Sequence, residues 1–329
     1  MRMQPLASAP RSRLALCLFA AVMAACSSPA PINERRQAPA EHQGEPLALP
    51  TVVEAKPKDL PGLHNIVAYA DGLWTGAVPE GDEGFATLES LGIHTVVSVD
   101  GAVPDVDSAK RHGITYIHLP ISYDTVSAER QLQLAQVLAN TQGPVYMHCH
   151  HGKHRSAAAV GAAAVVAGKT QPEAAVLRMK VSGTAPAYEG LWSAVRNARP
   201  AEAAALKADV AAFPSVAKVS GMVAAMAEID LVNDLVKTSK ESSWQPPAFH
   251  PDLVAQKETR RLRDLFSNLK NDAESKAMDE GFQKLLQRSI DEATQLDEAV
   301  RSGDAAKANA MFDALGKSCK ECHKPYRDK

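Results

Sequence analysis

The chain has 329 residues, of which 36 are lysine or arginine and 38 are aspartate or glutamate, so its net charge is -2 at pH 7. This length predicts about two domains with tails. The near-neutral charge offers no electrostatic basis for binding nucleic acid or an acidic membrane surface. Aromatic residues make up only 5% of the chain and alanine is abundant, a composition that favours helices with small side chains.

Residues 1–26 are predicted to be a signal peptide of the lipoprotein type. A basic region with three arginines precedes a short apolar run over 14–23. The sequence Met-Ala-Ala-Cys then ends at Cys26 and resembles a bacterial lipoprotein box, in which the cysteine becomes the lipidated first residue. Ordinary cleavage without an anchor is the alternative. We therefore expect an exported, periplasmic protein that contacts the membrane only through an N-terminal lipid.

Residues 27–61 are rich in proline, alanine and glutamate and show no apolar period, which predicts a disordered tether. From 62 to 198, strand and helix signals alternate. The predicted strands are 95–99, 114–119 and 143–147, and the predicted helices are 84–91, 103–112, 127–140 and 155–167. This alternation predicts an α/β domain with a mainly parallel sheet and flanking helices. Sites in such sheets lie at the carboxyl ends of strands, where His148 and Cys149 stand.

The segment from His148 to Ser156 reads His-Cys-His-His-Gly-Lys-His-Arg-Ser. A cysteine and an arginine at this spacing span a loop that can wrap a phosphate, with backbone N–H groups and the following helix N-terminus directed at the anion. Such a field favours the thiolate form of a cysteine. An arginine offers a planar fork to two phosphate oxygens. Gly152 suits an unusual backbone turn within the loop.

This segment resembles the signature loop of the protein tyrosine and dual-specificity phosphatases, and the order of elements over 62–198 agrees with that family. The resemblance implies that Cys149 is the nucleophile that forms a phosphocysteine. It also implies that Arg155 binds the substrate and stabilises the transition state, that Ser156 assists thiolate release, and that the loop amides hold phosphate oxygens. His148 would support the loop. The phosphate-binding loop would further contain His150, His151, Gly152, Lys153 and His154.

This phosphatase family also uses a general acid upstream of the loop. The resemblance places it at Asp124, after the strand over 114–119, with Asp105 and Asp107 as alternatives. The substrate would be a phosphorylated protein or small molecule. Two other functions remain open: a catalytically inactive fold that binds an anion or a partner, and a metal site formed by the loop histidines with Cys149. Because a phosphate loop spreads these side chains apart, no metal is expected there.

Residues 199–214 contain an alanine-rich stretch between two prolines and are predicted to be a linker. Beyond it, from 215 to 329, four amphipathic stripes follow one another. They cover 219–229, 262–269, 278–296 and 308–315. Four such helices with short connections predict an all-α four-helix bundle.

The last stripe runs into Cys-Lys-Glu-Cys-His, from Cys319 to His323. Two thiols at this spacing reach the two vinyl groups of one haem, and the adjacent imidazole reaches the iron. The motif and its position near the end of the fourth helix resemble cytochrome c-prime, the class II c-type cytochromes. This resemblance implies covalent haem c on Cys319 and Cys322, with His323 as the proximal iron ligand. Met222 is the predicted distal ligand, with Met226 as its competitor, unless both are simply core residues.

The two resemblances together predict two domains: an α/β cysteine-phosphatase fold and a four-helix cytochrome bundle. We expect an exported phosphatase coupled to a c-type haem domain that transfers electrons to a redox partner or senses redox state or a gas. The alternative is an electron-transfer cytochrome whose phosphatase-like domain is inactive.

Overall fold

The computed structural model describes residues 47–248 and 251–327. The predicted signal peptide with Cys26, and residues 27–46 of the predicted tether, lie outside the described residues. Within the described ranges, no helix is both long enough and apolar enough to cross a bilayer.

A six-stranded mixed sheet forms the centre of the first domain. Its strands are β1 (Lys58–Leu60), β2 (Leu63–Ala70), β3 (Leu73–Gly76), β4 (Thr95–Ser98), β5 (Thr115–His118) and β6 (Val145–His148). They lie in the order β1-β2-β3-β6-β4-β5. The pairs β1–β2 and β2–β3 are antiparallel, whereas β3–β6, β6–β4 and β4–β5 are parallel. The parallel part carries the three strands predicted from the sequence, and the predicted α/β class is confirmed.

Part of the predicted tether belongs to the folded domain. Strand β1 pairs with β2, and Leu60 is buried. Further back, the Trp74 Nε1 donates a hydrogen bond to the Pro50 carbonyl at 2.8 Å, and Arg178 Nη1 donates to the Glu54 carbonyl at 2.6 Å. Residues 47–61 are therefore not a tether. The proline-rich composition of this segment gave no sign of these hydrogen bonds, because the side chains that donate them lie far along the chain.

Helices cover both faces of this sheet. They are α1 (Gly81–Ser90), α2 (Val106–Arg111), α3 (Ala128–Asn140), α4 (Arg155–Val166), α5 (Pro172–Ser182) and α6 (Glu189–Asn197). Every residue of α4 is buried, and this helix packs on α3, α5, α6 and the strands β2, β3 and β6. Its alanines and Gly161 permit this close approach, since a Cβ on Gly161 would lie 3.4 Å from Tyr69 and Val195.

The second domain is helical. Its helices are α7 (Gly221–Glu241), α8 (Ala255–Leu269), α9 (Ala273–Ala277), α10 (Glu280–Ser302) and α11 (Ala305–Tyr326). Side chains of Ser220, Asp279 and Asp304 cap α7, α10 and α11 by accepting backbone N–H groups of the first turn. The four long helices bury most of the apolar stripes seen in the sequence, as the bundle prediction requires, although Val223 of the first stripe is exposed.

Helices α7 and α11 are bridged by an ion pair. The closely packed pairs among the described helices of the bundle are α7–α8, α8–α10 and α10–α11, with α9 against α7. Lys240 Nζ donates to Asp313 Oδ1 at 2.6 Å, which joins the end of α7 to the first half of α11. Towards the start of α7 and the end of α11, Met222, Met226 and Cys319 are only half-buried. These side chains pack on the edge of the bundle core, with part of their surface left accessible.

The described residues 47–248 and 251–327 belong to one compact unit, so the two domains are in contact. The segment before α7 is held at the carboxyl end of β5, where His118 N donates to the Pro214 carbonyl at 2.8 Å and Ala217 N donates to His118 Nδ1 at 3.0 Å. Next to it, a Cβ on Gly101 would lie 2.6 Å from Val223 Cγ1. Helix α7 thus starts beside the strand ends at which the phosphate loop lies.

Candidate active site and haem site

The loop between β6 and α4 has its carbonyl groups turned outward. Three of them accept hydrogen bonds from outside the loop: His150 O from Val78 N at 3.0 Å, Gly152 O from Asn65 Nδ2 at 3.1 Å, and Lys153 O from Thr184 Oγ1 at 2.6 Å. Since the N–H of a trans peptide points opposite to its C=O, the amides that follow these carbonyls face the inside of the loop. The arrangement is a concave set of donors in front of Cys149, suited to an oxyanion.

Gly152 is required by both conformation and space. Its φ is +69°, in the left-handed region that favours glycine. A Cβ at this position would lie 2.2 Å from the carbonyl carbon of Gly76 and 2.4 Å from the Ala77 nitrogen. The loop can therefore pass over the end of β3 only with glycine here.

Two predicted site residues, Ser156 and His148, contact the sulfur and the backbone of Cys149. Cys149 Sγ lies 3.3 Å from Ser156 Oγ, and both residues are buried. His148 Nδ1 lies 3.2 Å from the Cys149 carbonyl oxygen, and its Nε2 lies 2.5 Å from the Tyr116 hydroxyl. Burial lowers the pKa of His148 to about 4, so the ring is neutral near pH 7. A neutral ring with Nδ1–H donating to the carbonyl then accepts the Tyr116 O–H at Nε2, which fixes the start of the loop.

Arg155 is held by a carboxylate that the sequence did not single out. Its Nη2 donates to Asp100 Oδ2 at 2.8 Å and its Nη1 to Asp100 Oδ1 at 3.3 Å, and both side chains are buried. Burial raises the pKa of Asp100, but the Arg155 charge and other contacts lower it further, so the net shift is downward. Among the described residues, the buried Nε of Arg155 has no hydrogen-bond partner. One edge of the guanidinium is thus fixed on Asp100, and Nε remains available to an oxyanion.

An aromatic group lies beside Arg155. The Tyr123 ring centroid is 4.3 Å from the Arg155 Cζ and 5.0 Å from the ring of Tyr188, which in turn contacts His154. Arg327, immediately after α11, also has its Cζ 4.3 Å from the Tyr123 centroid. Burial raises the pKa of Tyr123 to about 12, which keeps the phenol neutral. The helical domain therefore contributes a cation to the surroundings of the phosphate loop.

The predicted acids occupy different positions. Asp124 is exposed and follows Tyr123 directly, on the loop that reaches Arg155; its backbone N–H donates to Ser122 Oγ at 3.1 Å. Asp105 is committed to capping α2, because it accepts from Ser108 N at 2.9 Å and from Ser108 Oγ at 2.5 Å. Asp107 is exposed on α2. Of the three, Asp124 is the one whose loop the structure brings to the site.

The loop histidines do not all spread apart. His148 is turned to Tyr116, and His154 Nδ1 accepts the Ala185 N–H at 3.2 Å. His150 and His151, by contrast, lie together with ring centroids 4.4 Å apart, and both face Asp234 of α7. The expectation that the loop separates its histidines is therefore wrong for this pair. Both rings lie beside one carboxylate, which belongs to helix α7 of the second domain.

The Cys-x-x-Cys-His motif lies on the last turns of α11. Cys322 is buried, and Cys319 and His323 are half-buried. Burial raises the pKa of Cys319 to about 11 and lowers that of His323 to about 4, so the imidazole is neutral and able to bind iron. On α7, Met222 and Met226 are half-buried and one turn apart. This donor set, two thiols followed by a neutral imidazole on α11 with methionine sulfurs on α7, fits a haem.

These features describe a two-part molecule, an α/β domain with a phosphatase-like loop followed by a helical bundle that carries a Cys-x-x-Cys-His motif. The family model described as Cytochrome C' matches residues 204–327; this match supports a cytochrome c' domain in this part of the chain and implies a haem cofactor. The predicted resemblance for the bundle is confirmed.

Solved structures give further similarities. P. aeruginosa TpbA is 25% identical, with 49% of this chain and 99% of that chain covered at a TM-score of 0.38. A structure of TpbA in complex with pTyr is 24% identical over 45% of this chain and 99% of that chain, at a TM-score of 0.34. The core catalytic domain of the PP-IP phosphatase SIW14 from S. cerevisiae is 14% identical over 43% of this chain and 88% of that chain, at a TM-score of 0.37. None of the curated proteins matches the chain.

Proposed function

We propose that the α/β domain hydrolyses phosphate monoesters through a phosphocysteine on Cys149. The observation that carries this proposal is the site itself. A buried sulfur lies 3.3 Å from the Ser156 hydroxyl, inside a loop whose carbonyls are bonded outward, beside an arginine whose Nε lacks a partner. A phosphate group would satisfy both the inward amides and that Nε.

In the first step, the Cys149 thiolate attacks phosphorus and the bond from phosphorus to the ester oxygen breaks. Asp124 donates its proton to the departing oxygen, while the loop amides and Arg155 hold the other phosphate oxygens. In the second step, water attacks phosphorus and gives a proton to the Asp124 carboxylate. The phosphorus–sulfur bond breaks, and the Ser156 hydroxyl donates a hydrogen bond to the departing thiolate. His148 stays neutral and positions the loop.

Hydrolysis of an aryl phosphate by the haem-loaded chain tests this proposal. We expect turnover in the parent that is lost in Cys149→Ser and in Arg155→Ala and reduced in Asp124→Asn. Asp107→Asn is the matched control, because this carboxylate is exposed on α2. An inactive parent with normal haem absorption and a reduced Cys149 would instead support the alternative, a cytochrome with an anion-binding phosphatase fold.

For the helical domain, we propose thioether bonds from Cys319 and Cys322 to haem c, with His323 as one iron ligand and Met222 as the other. A haem bound there supplies one-electron transfer or binds a small ligand, and a redox partner would dock near it. Low-spin absorption that becomes high-spin in Met222→Ala, but not in Met226→Ala, would assign the distal ligand. The opposite result would assign it to Met226.

We further propose that the chain is exported, is periplasmic and is anchored through a lipid on Cys26. Attachment of c-type haem outside the cytoplasm is consistent with export. Recovery of the protein in the membrane fraction, and its release in Cys26→Ala, would support the anchor; a soluble parent would contradict it.

A further inference from the structure

We propose that His150, His151 and Asp234 form a binding site for a divalent transition-metal ion, for which zinc is the best match. The site joins the phosphate loop to helix α7 of the cytochrome domain. It is separate from the haem and does not depend on whether Cys149 is catalytic.

The positions of the three possible ligand atoms carry the proposal. His150 Nε2 lies 2.8 Å and His151 Nδ1 lies 3.8 Å from Asp234 Oδ2. All three atoms lie within 4.8 Å of one another. Two ligand atoms on one tetrahedral zinc ion lie about 3–3.6 Å apart, since each is about 2.0–2.2 Å from the metal. Small side-chain rotations therefore suffice to bring the three atoms around one ion.

The chemistry of the three groups favours zinc or a neighbouring first-row metal. Two imidazoles and a carboxylate are a borderline ligand set that magnesium and calcium do not prefer. Asp230 lies one helical turn before Asp234, and its carboxylate acts electrostatically on both histidines. Asp230 and Asp234 thus place negative charge near the two imidazoles, which would favour a cation, while Lys153 and Lys237 add positive charge nearby.

The site would connect the two domains mechanically. His150 and His151 directly follow Cys149, whereas Asp234 lies in the middle of α7. The His150 carbonyl remains bonded to Val78 N, so the side chain can bind a metal without releasing the loop backbone. An ion held by all three groups would tie the loop to helix α7 of the second domain.

Calorimetric titration of the haem-loaded full chain with Zn²⁺, after removal of metal with a chelator, tests the site. Haem loading keeps Cys319 and Cys322 out of the reaction. We expect one ion per chain, and Asp234→Asn and His151→Gln should each weaken binding by about tenfold or more. Glu241→Gln is the matched control on the same helix, since its carboxylate is exposed and contacts only Lys237, at 3.9 Å, among the ion pairs of the described residues. Unchanged affinity in this control and in Cys149→Ser would support the site.

Two results would overturn the proposal. One is wild-type affinity in both Asp234→Asn and His151→Gln, with haem absorption and circular dichroism showing that the variants are folded. The other is loss of binding in Cys149→Ser, or sulfur among the atoms bound to zinc in X-ray absorption, either of which would place the ion on the thiol.

Discussion

Replacing Asp100 by asparagine tests the buried ion pair that holds Arg155. The pair has two contacts, at 2.8 and 3.3 Å, and both side chains are buried. Removing one partner of a buried pair typically costs about 3–5 kcal/mol, because the other charge is left uncompensated. The asparagine oxygen can still accept one of the two bonds, so we expect a loss of about 2–4 kcal/mol in the free energy of unfolding.

Thermal unfolding of the haem-loaded chain in phosphate-free buffer measures this loss. At about 2–4 °C per kcal/mol, we expect Asp100→Asn to lower Tm by about 4–16 °C. Saturating inorganic phosphate stabilises any protein that binds it, by about 2.7 kcal/mol at a hundred times Kd. In Asp100→Asn the phosphate also supplies the missing negative charge beside Arg155. The difference in Tm between parent and variant should therefore narrow when phosphate is added.

The control is Asp107→Asn, which removes an exposed carboxylate on α2 at the same net change of charge. The reasoning fails if Asp100→Asn is as stable as this control in phosphate-free buffer. It also fails if phosphate raises the Tm of parent and variant equally, since the anion would then not be near Arg155.

Three further results are expected. Gly152→Ala should abolish phosphatase activity and lower Tm well beyond Gly168→Ala. Both glycines have φ near +70°, but only at Gly152 would the added Cβ lie within 2.2 Å of backbone. Equal effects of the two substitutions would contradict the steric argument. The His150–Asp234 pair should stabilise the folded protein fully below the unfolded pKa of histidine, about 6.5, and this stabilisation should be lost as pH rises through the raised pKa of folded His150. In metal-free protein, Asp234→Asn should therefore make the decline of Tm with rising pH less steep. Parallel plots of Tm against pH for parent and variant would refute this. Cys319→Ala together with Cys322→Ala should leave a haem that acidified acetone extracts, whereas the parent retains it; a retained haem in the double variant would rule out these thioethers.

Much of the α/β domain could be predicted from local patterns. The β-branched strands β4, β5 and β6 and the helices α3 and α4 lie close to where the sequence placed them. The strands β1 to β3 were not predicted. Asn65 has φ of +55° within β2, and the registers of β1–β2 and β2–β3 shift, so no clean alternation of buried and exposed residues marks these strands.

Each candidate site likewise combines residues that a local sequence pattern predicts with residues that no local pattern predicts. Cysteine, arginine and histidine at fixed local spacing marked the phosphate loop and the haem motif. Asp100 lies 55 positions from Arg155 in the sequence. The one signal that could have indicated its role is its position just after β4, at the carboxyl end of a strand that neighbours β6. Asp234 and Arg327 come from the second domain, and no local pattern indicates that they meet the loop, because their positions depend on how the two domains pack.

Helix α4 is buried along its whole length, and the phosphate loop leads directly into it. A helix that packs against three other helices and the sheet cannot rotate or shift when a ligand binds. The donors of the loop are therefore already arranged when the anion arrives, and little conformational entropy is lost on binding. We expect phosphate, vanadate and tungstate to bind the same backbone amides in the same arrangement. Differences in their affinity would then reflect the geometry and charge of each anion and not a conformational change of the protein.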